Sequence, residues 1–207
     1  MPTPSRNTRL VNNLLLAALP DALNVSGRDY AINSDYQTVL RFFELQRDDR
    51  VAERHKGILA LKLFYRDDFP PDFDAAFERL GWFIRCGKPE EPQVRRPRPV
   101  FDFAFDAPLI FASFWAQYGL DLTAPAPLHW WKFYALFVGL GEETAFRQVV
   151  RIRTRKEDGL DAQSKQELRE AKKAWALPPE VFKDKKSDAL AAALMSGNAQ
   201  AIQRALT

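Results

Sequence analysis

The 207-residue chain is poor in the side chains that most enzymes use for chemistry. It has one cysteine, Cys86, and two histidines, His55 and His129. A single cysteine excludes a disulfide within the chain, and these three residues are too few for a Cys/His metal cluster. We therefore expect no metal and no cofactor, a fold held together by its core, and Cys86 as a buried thiol in a reducing compartment.

Glycine is scarce as well, with nine residues, and none forms a phosphate-binding loop. Gly139-Leu140-Gly141 lacks the rest of a nucleotide-binding fingerprint and follows a predicted helix where a strand is required. His129 has no Ser, Cys or acidic partner at a motif spacing. A turn and a helix start explain the acidic cluster of Asp67, Asp68, Asp72 and Asp74. The sequence thus predicts no catalytic residue and no enzyme.

Strong net charge and long apolar runs are also missing. Thirty basic and 27 acidic residues give a net charge of +3, which is weak support for a nucleic-acid partner. No uninterrupted apolar run approaches the roughly 18 residues of a membrane-spanning helix. The apolar stretch at residues 14–19 is short, lies beside Asn12 and Asn13, and precedes Pro20-Asp21, so we expect neither export nor a membrane.

Aromatic residues are abundant, with 16 Phe, five Trp and five Tyr to fill a core. In residues 128–140 only His129 and Lys132 are clearly polar, which predicts a helix surrounded by protein. Residues 109–118 form a second such segment, and we expect the two helices to be antiparallel neighbours at the centre. The predicted structural core comprises Trp82, Phe83, Phe111, Trp115, Trp130, Trp131, Phe133 and Phe137.

Apolar periodicity elsewhere predicts a mainly α fold, a multi-helix orthogonal or antiparallel bundle with a small N-terminal β-hairpin around Ser26-Gly27. Ser34 or Asp35, Asp72 and Asp106 are expected to cap helices, and another is expected from about 51 to 65 with Ile58 inward. The predicted helix from Asp72 has Phe73 on its inner stripe. Four prolines at 88–99 indicate an exposed linker within a helical domain of residues 1–180, and residues 181–207 form an alanine-rich helical extension.

Five cations gather at the end of the predicted helix that begins at Glu142: Arg147, Arg151, Arg153, Arg155 and Lys156. This cluster suits either phosphates or an acidic stretch on a partner protein. No recognised nucleic-acid reading element accompanies it, which disfavours a nucleic-acid partner.

Several segments together resemble the "gene product fifteen" family of siphophage tail modules and prophages. The resemblance covers about residues 15–180. Its most specific pieces are His129-Trp130-Trp131-Lys132 and Trp82-Phe83-Ile84-Arg85-Cys86-Gly87, supported by Asp67-Asp68-Phe69-Pro70-Pro71-Asp72, Phe101-Asp102-Phe103, Gln117-Tyr118-Gly119-Leu120-Asp121-Leu122 and Val149-Val150-Arg151-Ile152-Arg153.

The resemblance implies a tail assembly role in the host bacterial cytoplasm. We expect a chaperone that binds the tape-measure protein, with the tail tube protein as a second candidate partner and self-association left open. The candidate partner-binding residues are Arg147, Arg151, Arg153, Arg155, His129 and Lys132. Two alternatives stay open, namely a structural virion component at the tail or head–tail junction, and a nucleic-acid-binding regulator.

Overall fold

The computed structural model describes residues 14–16, 18–88 and 99–182. The elements in these ranges are β1 Ala22–Val25, β2 Arg28–Ala31, α1 Tyr36–Arg47, α2 Glu53–Phe64, α3 Phe73–Ile84, α4 Ala107–Tyr118, α5 Trp130–Val138, α6 Ala145–Thr154, α7 Ala162–Ala174 and a short 3-10 helix Pro179–Phe182. The predicted mainly α fold with an N-terminal hairpin is confirmed. Among the described residues, no helix is long and apolar enough to cross a membrane.

The described residues divide into two compact units. The first unit contains residues up to 88 together with 127–134, and the second contains 99–126 together with 135–182. Helix α5 therefore begins in the first unit and ends in the second. Most of the predicted linker (89–98) and of the predicted extension (183–207) lies outside the described residues, so the predicted domain boundary stays a prediction.

The hairpin of the first unit follows directly from its sequence. Its strands pair antiparallel from Ala22 opposite Ala31 to Val25 opposite Arg28. The two turn residues, Ser26 and Gly27, both have positive φ, 50° and 88°, as a tight two-residue hairpin turn requires. Leu23, Val25 and Tyr30 are buried, because alternate residues of a strand point to the same face.

Two predicted helix caps are confirmed in the first unit. The Asp35 carboxylate accepts from the Thr38 amide at 2.9 Å and opens α1, and that of Asp72 accepts from the Ala75 amide at 3.1 Å and opens α3. Two predicted inward residues are wrong. Ile58 is exposed because the buried stripe of α2 runs through Ala60, Leu61 and Phe64, and Phe73 is exposed because it opens α3 outside the buried stripe.

Helix α5 is only partly surrounded by protein. Its first turn is buried in the first unit, where the Phe133 ring stacks on Tyr36 at 4.4 Å. In its last turn Val138 is 62% exposed, so the prediction of burial on nearly every side is wrong there. The Tyr118 hydroxyl donates to the Leu136 carbonyl at 2.9 Å, so the carboxyl ends of α4 and α5 meet, whereas an antiparallel pair brings opposite ends together.

An aromatic cluster fills the interior of the second unit. Phe101, Phe103, Phe137 and Phe146 have ring centroids between 5.1 and 5.6 Å apart, in tilted and edge-to-face arrangements. Such geometries suit aromatic rings, whose electron-rich faces attract the edges of their neighbours. Phe137 at the end of α5 and Phe146 of α6 belong to this cluster, and α4 packs against α6.

Candidate protein-interaction surface

The described part of the chain provides neither a metal site nor an activated thiol. No group of three or more His, Cys, Asp or Glu side chains that could hold a metal occurs within residues 14–16, 18–88 and 99–182. Burial raises the pKa of Cys86 to about 12, which keeps its thiol protonated and poorly nucleophilic at neutral pH.

His129 directly precedes α5, and both of its ring nitrogens have a hydrogen-bond partner. Its Nδ1 accepts from the Trp131 amide at 3.1 Å, and its Nε2 lies 3.0 Å from the Pro20 carbonyl oxygen. Because a carbonyl only accepts, Nε2 carries the proton and the ring is neutral. Desolvation by burial is the main reason that the pKa of His129 is lowered. Both nitrogens of this predicted partner-binding residue are thus occupied within the first unit, while Lys132 is exposed.

The two tryptophans after His129 tie α5 to the end of α3. The Trp130 indole donates to the Ile84 carbonyl at 2.9 Å, and that of Trp131 donates to the Phe83 carbonyl at 2.8 Å. The last carbonyls of a helix lack partners within the helix. The Trp130 indole satisfies the Ile84 carbonyl, and the Trp131 indole is a second donor to the Phe83 carbonyl, which also accepts from the Cys86 amide at 3.0 Å. Phe83, Trp130, Trp131, Phe133 and Phe137 are buried as predicted.

A buried ion pair lies between α4 and α6 in the second unit. The Arg153 guanidinium donates to both carboxylate oxygens of Asp106, at 2.7 and 2.8 Å, and also to the carbonyls of Trp175 and Val100. Both side chains are buried. Asp106 is the N-cap residue of α4, as predicted, but its side chain makes no cap bond, because its carboxylate binds Arg153 and the Asp102 amide. Arg153 is therefore an interior residue and not an exposed partner-binding residue.

This ion pair and one further bond set the register of α4 against α6. The Phe146 amide at the start of α6 donates to the Ser113 hydroxyl in the middle of α4, at 3.1 Å. Arg153 near the end of α6 binds Asp106, at the start of α4. The two helices are therefore antiparallel, and Arg151 is level with Pro108 in the first turn of α4.

The outer face of α4 is apolar, although it is exposed. We call it the apolar strip and define it as Pro108, Phe111, Ala112, Trp115 and Ala116. Trp115 is 56% exposed and Phe111 is half-buried, and their rings stack at 6.5 Å with 15° between the planes. The prediction that Trp115 belongs to the core is wrong, and Phe111 lies at its edge.

The polar side chains of Ser113 and Gln117 lie on the side of α4 away from this strip. Gln117 donates to the Gly139 carbonyl at 3.1 Å and accepts from the Gly141 amide at 2.8 Å. The Ser113 hydroxyl donates to the Leu109 carbonyl at 2.7 Å. Helix α4 contains no charged residue, and contiguous exposed apolar surface of this kind is typical of an interaction site.

Exposed cations lie in the last turn of α6 and directly after it. We call Arg151, Arg155 and Lys156 the basic end of α6, and all three are exposed. Arg147, another predicted partner-binding residue, is paired with Glu142, and the nearby Glu157 is paired with Arg169. Of the predicted arginines, Arg151 and Arg155 are the exposed ones.

Comparison with known protein families identifies the family to which this chain belongs. The sequence model described as Bacteriophage Gp15 protein matches residues 15–177, which is well over half of the chain. The chain belongs to the Bacteriophage Gp15 protein family. It is accordingly a phage structural or assembly-related protein. No curated protein and no solved structure matches it.

The two most specific segments of the family resemblance meet in this Gp15 protein. Trp130 and Trp131 of one segment donate to the carbonyls of Ile84 and Phe83 in the other. The edge of the half-buried Trp82 ring also packs against Trp131, at 5.5 Å. These two segments therefore hold the start of α5 against the end of α3 in the first unit.

Sequence analysis of this Gp15 protein missed the apolar strip, because an uncharged helix was interpreted as a buried one. One signal was present in the sequence. Pro108, Ala112 and Ala116 are spaced by four residues and share one side of the helix, while the bulky Ile110 and Phe114 share the other. Small residues at every fourth position thus mark the exposed side of α4, whereas Ile110 and Phe114 mark the buried side.

Proposed function

We propose that this Gp15 protein is a non-enzymatic phage tail assembly factor, a chaperone that binds the tape-measure protein while the tail is built in the host cytoplasm. The observation that carries the proposal is the exposed, uncharged outer face of α4. An apolar surface on an otherwise well-packed unit is stabilised when a partner covers it, because burial removes about 25 cal/mol of unfavourable free energy per Å².

A tape-measure protein has the chemistry that this surface needs. It is a long helical chain whose apolar stripes are unprotected until the tail tube encloses them, and such stripes aggregate in water. A helical partner can be bound through aromatic and aliphatic anchors. Many weakly bound copies along one client would protect it and still release it to the polymerising tube protein, since no single contact is tight.

The basic end of α6 adds an electrostatic contribution to this proposed contact. Arg151 and Arg155 are exposed, whereas Arg153 and Arg147 have carboxylate partners within the second unit. Exposed cations accelerate association with an acidic partner and make binding sensitive to salt. Lys132 is exposed on α5 and remains a candidate contact residue.

The proposal is tested by co-expressing this protein with the tape-measure protein of the same genome. We expect the tape-measure protein to become soluble and to co-purify with the tagged chain. A tape-measure protein that stays insoluble and unbound would contradict the proposal. The chaperone should also be absent from purified virions, and its recovery there at fixed stoichiometry would instead identify a structural component.

A further inference from the structure

We infer that the apolar strip holds one amphipathic helix of the client, the tape-measure protein, two to three turns long. This inference rests on the proposed function and names the partner surface that the strip recognises. It follows from the dimensions of the strip and from the size of its residues.

The dimensions of the strip match one helix. The nine residues from Pro108 to Ala116 extend about 13 Å, and at 100° per residue the strip is about 140° wide. A client helix with apolar residues at positions i, i+3, i+4 and i+7 presents a stripe of similar length and width. The stacked rings of Phe111 and Trp115 form a ridge, and the small Ala112 and Ala116 beside it allow a second backbone to approach closely.

A second copy of this chain would gain too little from the same surface. A strip about 13 Å long and about 10 Å wide offers roughly 130 Å². Stable protein interfaces bury about 800 Å² on each partner. The strip therefore suits one short helix in a repeated weak contact, which is what many copies along a long client require.

Photo-cross-linking of the full chain, co-expressed with the tape-measure protein, tests this inference. Benzoylphenylalanine replaces Ala112 in the strip or, as a control, Ala162, an exposed alanine of α7 in the same unit. We expect a cross-link from position 112 to an amphipathic segment of the tape-measure protein, and none from position 162.

Each other outcome overturns the inference. If the client co-purifies but position 112 cross-links to a second copy, to the chain's own C-terminal segment or to nothing, the strip is not the client site, while the proposed function stands. If the client does not co-purify at all, the inference and the proposed function both fail.

A charge placed on the strip gives an independent readout. Ala116→Glu should weaken client binding at least tenfold, because the carboxylate loses its water when a helix covers it, whereas Ala162→Glu should bind like the unmodified chain. Circular dichroism confirms that both variants fold. Equal binding by a folded Ala116→Glu variant would overturn the inference.

Discussion

Among single residues, Asp106 and Arg153 make the most demanding electrostatic contact of the second unit. Both side chains are buried, and the Arg153 guanidinium also satisfies two backbone carbonyls. Replacing Asp106 by Asn leaves a buried cation without its counter-charge. We expect Asp106→Asn to lower the free energy of unfolding by about 3–5 kcal/mol, measured by urea denaturation.

The pair of Glu142 and Arg147, whose side chains are 58% and 38% exposed, provides the control for this prediction. Its charges are largely solvated, so Glu142→Gln should change the free energy of unfolding by less than about 1 kcal/mol. Equal losses in the two variants would contradict the structural role assigned to the buried pair.

His129 should make stability depend on pH. Its pKa is lowered in the folded chain, so protonation favours the unfolded chain. The stabilisation is complete above the unfolded pKa of about 6.5 and is lost as pH falls through the folded value. We expect the melting temperature to be lower at about pH 5.5 than at about pH 7.5, a range above the titration of ordinary carboxylates.

His129→Asn should show a smaller difference between these two pH values, because Asn can cap α5 without titrating. His55→Asn, which changes the other, exposed histidine, should keep the difference of the unmodified chain. An unchanged pH response in His129→Asn would contradict this assignment.

The basic end of α6 is tested by removing its two predicted contact arginines. The double variant Arg151→Ala/Arg155→Ala should bind the tape-measure protein more weakly at low salt and show a flatter salt dependence. Binding is measured by co-purification at two salt concentrations. The matched control, Arg41→Ala/Lys62→Ala, removes two exposed cations from the first unit, and an equal loss there would show that only net charge matters.

At the scale of elements, the contact between α3 and α5 depends on two indole donors. Trp130→Phe and Trp131→Phe keep an aromatic ring but leave the Ile84 or Phe83 carbonyl without its indole partner. We expect each variant to lower the free energy of unfolding by about 1–3 kcal/mol in chemical denaturation. Trp175→Phe, at an exposed site, should have little effect, and losses as large as those at Trp130 would contradict the account.

The sequence predicted those features that depend on residues close together in the chain. Asp35 and Asp72 cap α1 and α3 as predicted, because the amide that each binds lies three residues further on. Asp106 was assigned the same task, but its partner is Arg153, 47 residues away. No local pattern contains that pairing, so the sequence could not predict it.

The exposure of α4 could not be predicted from the sequence either, for a different reason. An apolar face shows that a helix side is stabilised by being covered, but it does not show whether the same chain or another protein covers it. The sequence therefore placed Trp115 in the core, and the structure shows it 56% exposed. The candidate surface became visible only when packing showed which side of α4 faces Ile110 and Phe114.

At the scale of the whole molecule, the family resemblance and the candidate surface lie in different parts of the chain. The most specific family segments meet in the first unit, at the contact of Trp130 and Trp131 with the end of α3. The apolar strip and the basic end of α6 both belong to the second unit. We therefore expect Ala116→Glu to weaken binding of the tape-measure protein without lowering the free energy of unfolding. Trp131→Phe, in contrast, should lower the free energy of unfolding.

The central claim is that this Gp15 protein is needed to build the tail, and deleting its gene from the phage genome tests that claim most directly. The measurement is electron microscopy of the induced lysate, with the unmodified gene supplied in trans as the control. We expect heads without tails and aggregated tape-measure protein, restored by the unmodified gene and not by the Ala116→Glu variant. Tails of normal number and length in the deletion lysate would contradict the account.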